Sequence, residues 1–234
     1  MPNDCQAITG VDRRQFLQSA AAAAVVGVVA PASRVSGWLR RLAARAALAP
    51  DAALEELMAG NQRFAANQLT SIEHDLAILK AHTVDKQEPF AAVLACADSR
   101  VPVELIFDQS IGRIFVTRVA GNVGTPELIA SLEYAVAVLG VRALLVLGHT
   151  NCGAVKAAMK TDPVPGQISA LYQHIRPAVQ LSGGALGRAI EANAQLQADL
   201  LRTSSTVIGD AMTKATISVA AGVYDLATGK VALV

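Results

Sequence analysis

Arg142-Ala143-Leu144-Leu145-Val146-Leu147-Gly148-His149-Thr150-Asn151-Cys152 is the stretch on which the fold turns. A short, unbroken apolar run with no polar alternation reads as a strand buried on both faces, and it runs straight into a glycine, a histidine and a cysteine. Immediately upstream, residues from about Thr125 to Leu139 read as a helix, with Pro126 in its first turn and Gly140 ending it. Before that helix, Arg113 to Val119 reads as a second strand, and Phe90-Ala91-Ala92-Val93-Leu94-Ala95 as a third that ends at Cys96. Strands and helices alternating through short links predict an α/β fold: a central, mostly parallel β-sheet flanked by helices.

Further out, Leu54, Leu57, Met58 and Phe64 recur at helical spacing from Asp51 to Asn67, with Asp51 suited to an N-cap. Ser71 to Thr83 continues in the same style. After Cys152 the pattern is helical, broken near Ser182-Gly183-Gly184, and a strand is expected at Thr216 to Tyr224. Thr228-Gly229 then turns the chain into Val231 to Val234, a C-terminal edge strand or hairpin. The 234 residues are 53% hydrophobic and only 4% aromatic, which suits close-packed helices on an aliphatic sheet. With 20 Lys and Arg against 19 Asp and Glu, no charge excess draws the chain to polyanions, so nucleic acid is not an expected partner.

The first 50 residues differ from the rest. Arg13-Arg14-Gln15-Phe16-Leu17, an uncharged run from Ser19 to Val29, and Ala30-Pro31-Ala32 together resemble a bacterial twin-arginine export signal. The resemblance implies a signal peptide over 1–32, a basic linker over 33–50, a domain over 51–234, and a periplasmic or otherwise exported location. The apolar run falls short of the roughly 20 residues a bilayer span needs, so no stable membrane span is expected. Retention on an uncleaved signal is the alternative. Removal of Cys5 with the signal would leave Cys96 and Cys152, which in an exported chain invite a disulfide unless a metal loaded before export already holds them.

Cys96-Ala97-Asp98-Ser99-Arg100 and His149-Thr150-Asn151-Cys152 both lie at predicted strand C-termini, where open parallel sheets bind ligands. Two thiolates and an imidazole make three protein ligands for zinc and leave a fourth position available, as in a catalytic rather than a closed structural site. Sulfur donors select zinc over magnesium or calcium. Gly153 allows close backbone approach, and a helix starting there would favour the Cys152 thiolate through its N-terminal dipole. On its own, each half is also compatible with a buried structural cysteine, and Asp98 with Arg100 with an ordinary salt bridge.

Taken in order, C-x-D-x-R and H-x-x-C resemble the β-class carbonic anhydrases over about Asp51 to Val234. Gly60-Asn61-Gln62-Arg63-Phe64, Arg118-Val119-Ala120-Gly121-Asn122, Ser131-Leu132-Glu133-Tyr134-Ala135 and Gly148-His149 add to the likeness. It implies one Zn2+ per chain on Cys96, His149 and Cys152, with Asp98 and Arg100 as a catalytic dyad. It also implies Gln87, Phe115, Tyr134 and Gly153 around carbon dioxide and bicarbonate, and assembly as a homodimer or a multiple of dimers. The implied reaction is reversible hydration of CO2 by a zinc-activated water that the dyad orients, with activity rising toward alkaline pH because two thiolates cancel the metal's charge. Val119 stands where the common R-N-x-A-N run has its first Asn.

Three alternatives stay open at this stage. Asp98 could close the site as a fourth ligand, and a wider pocket would suit carbonyl sulfide or carbon disulfide. A redox pair or a structural zinc site in a binding protein is the third. His74, His82 and His174 lack ligand spacing and are read as surface or packing residues.

Overall fold

The computed structural model describes residues 48–71, 83–160 and 162–234; the predicted signal peptide, nearly all of the linker and most of the predicted Ser71–Thr83 helix, with His74 and His82, lie outside the described residues. In chain order the elements are α1 (Pro50–Ala65), β1 (Ala91–Ala95), α2 (Val103–Ile106), β2 (Ile114–Arg118), α3 (Pro126–Ala137), β3 (Ala143–His149), α4 (Gly153–Ala158), α5 (Ser169–Leu181), α6 (Leu186–Ser204), α7 (Thr206–Thr213), β4 (Ser218–Tyr224) and β5 (Val231–Leu233). Among them no helix is long and apolar enough to cross a membrane.

The five strands form one sheet in the order β2-β1-β3-β4-β5. The first three pairings are parallel and only β4 with β5 is antiparallel, as the turn at Thr228-Gly229 requires. Period-two alternation sorts the side chains of the central strands. Ala91, Val93, Ala95, Leu145 and Leu147 pack with Ala53 and Leu57 of α1. Ala92, Leu94, Leu144 and Val146 face the other way, onto Leu132 and Ala135 of α3, Ala194, Ala198 and Leu201 of α6, and Ile208 of α7. Both faces being covered is why β1 and β3 carry no polar alternation.

Helix α1 begins one residue earlier than expected, with Pro50 in its first turn; Ala49, not Asp51, occupies the N-cap and makes no side-chain cap bond. Asp51 sits instead in the first turn, where its charge complements the helix dipole. Close packing of α1 depends on Gly60, because a Cβ there would lie 1.8 Å from the Phe107 carbonyl oxygen. Next to it the buried Asn61 donates to Ile106 O and Gly229 O and accepts from Val231 N–H, tying α1 to α2 and to the C-terminal hairpin. Arg63 pairs with the buried Asp108 at 2.5 Å, and Phe64 meets the Tyr224 ring at 6.3 Å. The Gly60–Phe64 stretch is thus an assembly seam for α1.

Candidate metal centre

From β1 the chain passes through α2 to β2 on one side, and from β2 through α3 to β3 on the other. Neighbouring strands β1 and β3 are therefore the point where the strand order reverses, and loops of opposite sense leave a crevice at their C-terminal ends. Cys96 follows β1 directly, and His149 is the last residue of β3, whose Leu147 lies in register with Ala95. Asn151, in the left-handed region at φ 61°, turns the chain so that Cys152 becomes the residue preceding α4. Cys96 Sγ, Cys152 Sγ and a ring nitrogen of His149 all lie within 4.8 Å of one another.

The imidazole is fully buried. Its Nδ1 lies 3.0 Å from the Thr150 carbonyl oxygen, which accepts only from a protonated nitrogen. That leaves Nε2 as the free lone pair, buried and without a hydrogen-bond partner. An imidazole with one unpartnered nitrogen, clustered with two sulfurs, is the donor set of a tetrahedral zinc site with three protein ligands, so these residues fit the metal.

The two thiols are unlike. The Cys152 side chain hydrogen-bonds to Cys96 and, despite burial, with His149 and the Gly121 N–H at 3.3 Å, holds Cys96 down at about 4. The same contact with Cys96, together with burial, pushes Cys152 well above the ordinary thiol range. Both thiols must give up their protons to bind a metal as thiolates.

Asp98 and Arg100 form the predicted pair. Arg100 Nε donates to Oδ1 at 2.9 Å, Nη2 to Oδ2 at 2.8 Å, and the Arg100 backbone N–H to Oδ1 at 3.0 Å. The Arg100 guanidinium holds the Asp98 carboxyl well below the usual carboxylate range, against a smaller opposing effect of burial. Asp98 Oδ2 comes within 3.7 Å of His149 Nε2 and so borders the metal position, yet the ligand cluster itself comprises only Cys96, His149 and Cys152.

Several residues to which the sequence analysis gave no role shape this site. Arg118 reaches across from β2 to donate to Cys96 O at 3.0 Å and Asp98 O at 2.6 Å, fixing the backbone of the C-x-D segment. Gly121, at φ 81°, aims its N–H at Cys96 Sγ, and a Cβ there would lie 2.7 Å from Ile175 Cδ1. The buried Asn193 of α6 donates to Gly121 O, and Gln197, one turn on, accepts from Gly124 N–H and donates to the backbone oxygen of His174. Asn193 and Gln197 interrupt an apolar stripe of Ala189, Ile190, Ala194, Ala198 and Leu201. Two amides on a buried helix face were the available signal. His174, half-buried on α5, takes no part in the ligand set.

Val123, Val155, Tyr172 and Ile175 pack with Cys96 and Cys152, giving the metal position an apolar wall. At Gly153 nothing lies within 4 Å of where a Cβ would stand, so the segment beside Cys152 leaves open space. The remaining predicted pocket residues stand elsewhere in the chain. Gln87 is exposed, ahead of the N-terminal end of β1. Phe115 is in register with Ala92, four residues and about 13 Å of strand before Cys96. Its ring meets that of Tyr134, which is 47% exposed on α3. Within one chain, the sheet separates these three residues from the ligands along the strand direction.

Comparison with known proteins agrees with this geometry. A family model described as carbonic anhydrase matches residues 91–231. A carbonic anhydrase of Mycolicibacterium smegmatis is 38% identical over 192 residues, 79% of this chain and 93% of that protein. One from Pseudomonas aeruginosa is 35% identical over 62% of this chain and 73% of its own length. Among solved structures, the β-carbonic anhydrase CafA of Aspergillus fumigatus superposes with a TM-score of 0.64 at 26% identity, covering 75% of this chain and 88% of that one. The Coccomyxa β-carbonic anhydrase bound to acetazolamide gives 0.62 at 26% identity, over 69% and 81%. A chain from a study of two tetrameric β-carbonic anhydrases of Sordaria macrospora shares the fold, at 0.62 and 21% identity over 75% and 93%. With a matching family model, a relative aligned over most of both chains, and a Cys–His–Cys cluster at the switch point of a parallel sheet, the chain belongs to the β-class carbonic anhydrase family.

Proposed function

We propose that this chain catalyses the reversible hydration of carbon dioxide to bicarbonate and a proton, with one Zn2+ held by Cys96, His149 and Cys152. The observation that carries the reading is a buried His149 whose ring has a nitrogen within 4.8 Å of two cysteine sulfurs and whose Nε2 has no hydrogen-bond partner. Zinc, when bound, supplies the Lewis acidity that makes water nucleophilic. Asp98, kept ionised by Arg100, is an acceptor-only group beside Nε2, placed to take a hydrogen bond from the attacking water and so turn its lone pair toward the substrate carbon. Arg100 acts through Asp98 by locking both carboxylate oxygens. That engagement favours the open form of the site, with Asp98 turned to Arg100 rather than filling the fourth zinc position. The apolar wall suits a substrate without charge.

Gln87, Phe115 and Tyr134 would meet the substrate only if a second copy carried them there. Strand β2 is a sheet edge; Tyr134, whose ring meets Phe115 of that strand, is 47% exposed, and Val138, four residues on, is 65% exposed. Both facts support a homodimer or a multiple of dimers in which this edge is shared. The Arg13-Arg14 segment supports twin-arginine export to the periplasm, which subcellular fractionation with and without Arg13→Lys/Arg14→Lys tests. The activity is tested by zinc quantification and stopped-flow CO2 hydration. About one zinc per chain with zinc-dependent hydration is expected; zinc without hydration, or a Cys96–Cys152 disulfide without zinc, overturns the reading.

A further inference from the structure

Three contacts converge on Thr150, the first of the two residues between the ligands of the H-x-x-C turn. Its N–H donates to Tyr224 O at 2.9 Å, its Oγ1 accepts the Leu226 N–H at 3.0 Å, and its carbonyl faces His149 Nδ1 at 3.0 Å. The first two fasten it to the corner where β4 leaves for β5. That corner is rigid in its own right: Asp225 accepts from the Ala227 and Thr228 N–H groups, and Asp225 N–H donates to Lys230 O. Asn61 of α1 ties the far side of the same hairpin through Gly229 O and Val231 N–H.

We propose that Thr150 is a positioning residue for the metal. Its hydroxyl, gripped by the Leu226 N–H, keeps its carbonyl aimed at Nδ1, and thereby keeps His149 in the tautomer and ring orientation that present Nε2 to zinc. A neutral imidazole carries one N–H, so whatever holds that proton on Nδ1 also frees Nε2 as the ligand. A second partner on a ligating histidine commonly governs metal affinity in this way. Here the partner is a backbone carbonyl that no substitution removes, and the side chain that steers it is held by a hairpin more than 70 residues further along the chain. The inference rests on zinc binding at Cys96, His149 and Cys152.

The test uses the full chain with Thr150→Val, which keeps the β-branched shape and removes the acceptor, and Thr150→Ser, which keeps the hydroxyl. Zinc affinity is measured by competition with a chromophoric chelator, and the His149 imidazole N–H is followed by 15N–1H NMR in the zinc-loaded protein. Thr150→Val is expected to bind zinc at least about 10-fold more weakly and to lose protection of the Nδ1–H from solvent exchange, while Thr150→Ser stays within about threefold of the parent. Should Thr150→Val fail to fold, Thr150→Ala removes the same acceptor. Unchanged zinc affinity and an unchanged Nδ1–H overturn the inference, as does a loss in Thr150→Ser equal to that in Thr150→Val. A parent chain that binds no zinc overturns the metal-centre reading instead.

Discussion

Replacing Asp98 by Asn removes a charge and two acceptor positions while leaving the shape of the side chain. In the parent chain both carboxylate oxygens are engaged by Arg100 and Oδ2 borders Nε2 at 3.7 Å. Since the metal cluster comprises Cys96, His149 and Cys152, zinc content should not change. Stability should change little: the Asp98 side chain is 18% and the Arg100 side chain 50% exposed, so solvent screens the pair, and Tm should stay within about 4 °C of the parent. Turnover should respond far more. Loss of one preorganised hydrogen-bond partner at the reacting atoms typically costs at least about 100-fold, or roughly 2.7 kcal/mol of barrier. Stopped-flow CO2 hydration, metal analysis and thermal unfolding are measured on Asp98→Asn, Arg100→Ala and the double variant. Because Arg100 acts through Asp98, the double variant should lose no more than Asp98→Asn alone. Zinc lost from Asp98→Asn would make Asp98 a ligand. Hydration within about twofold of the parent, or additive losses, would refute the dyad.

Gly60→Ala places a methyl 1.8 Å from the Phe107 carbonyl oxygen, a backbone atom with nowhere to retreat; a loss of about 3 kcal/mol, read as a fall in Tm of roughly 6–12 °C, is expected. At Asp108, burial alone would raise the carboxyl, but Arg63 with the Ser71 and Thr70 hydrogen bonds overcomes it and holds the group below its ordinary value of 3.8. A depressed native pKa contributes stability above the unfolded value and loses it as pH falls toward the native one. The parent chain should therefore exceed Asp108→Asn by about 2 kcal/mol at neutral pH, with the gap closing below about pH 4 in urea unfolding. Tyr134→Ala should shift the chain toward monomer in sedimentation velocity and lower turnover in parallel; full hydration by a monomer would show that one chain suffices.

Most of the sheet was legible because its central strands are buried on both faces, and burial on both faces leaves a continuous aliphatic run such as 91–95 or 143–147. Helix α2 went unread, since a single turn has no period to detect. Terminal residues shifted too: α3 stops at Ala137, two residues short of the expected Leu139, because the Val138 and Leu139 N–H groups both return to Tyr134 O before Gly140 turns the chain at φ 70°. The Asp51 N-cap failed because Pro50 had already started the helix.

At the site, residue chemistry and spacing by themselves determined the donor set: two cysteines and a histidine at strand ends, with an aspartate and an arginine two residues apart that meet within a single turn. Those are short-range facts, set by residue type and local backbone. Tertiary structure alone decided what surrounds them. It placed β1 beside β3, so that Cys96 meets residues more than 50 positions away. It brought Arg118, Gly121, Asn193 and the β4–β5 corner around the ligands through contacts spanning 20 to 76 residues. It also set Gln87, Phe115 and Tyr134 apart from the metal, because a parallel strand carries its two ends to opposite edges of the sheet and no local pattern records which edge a side chain will share with the ligands.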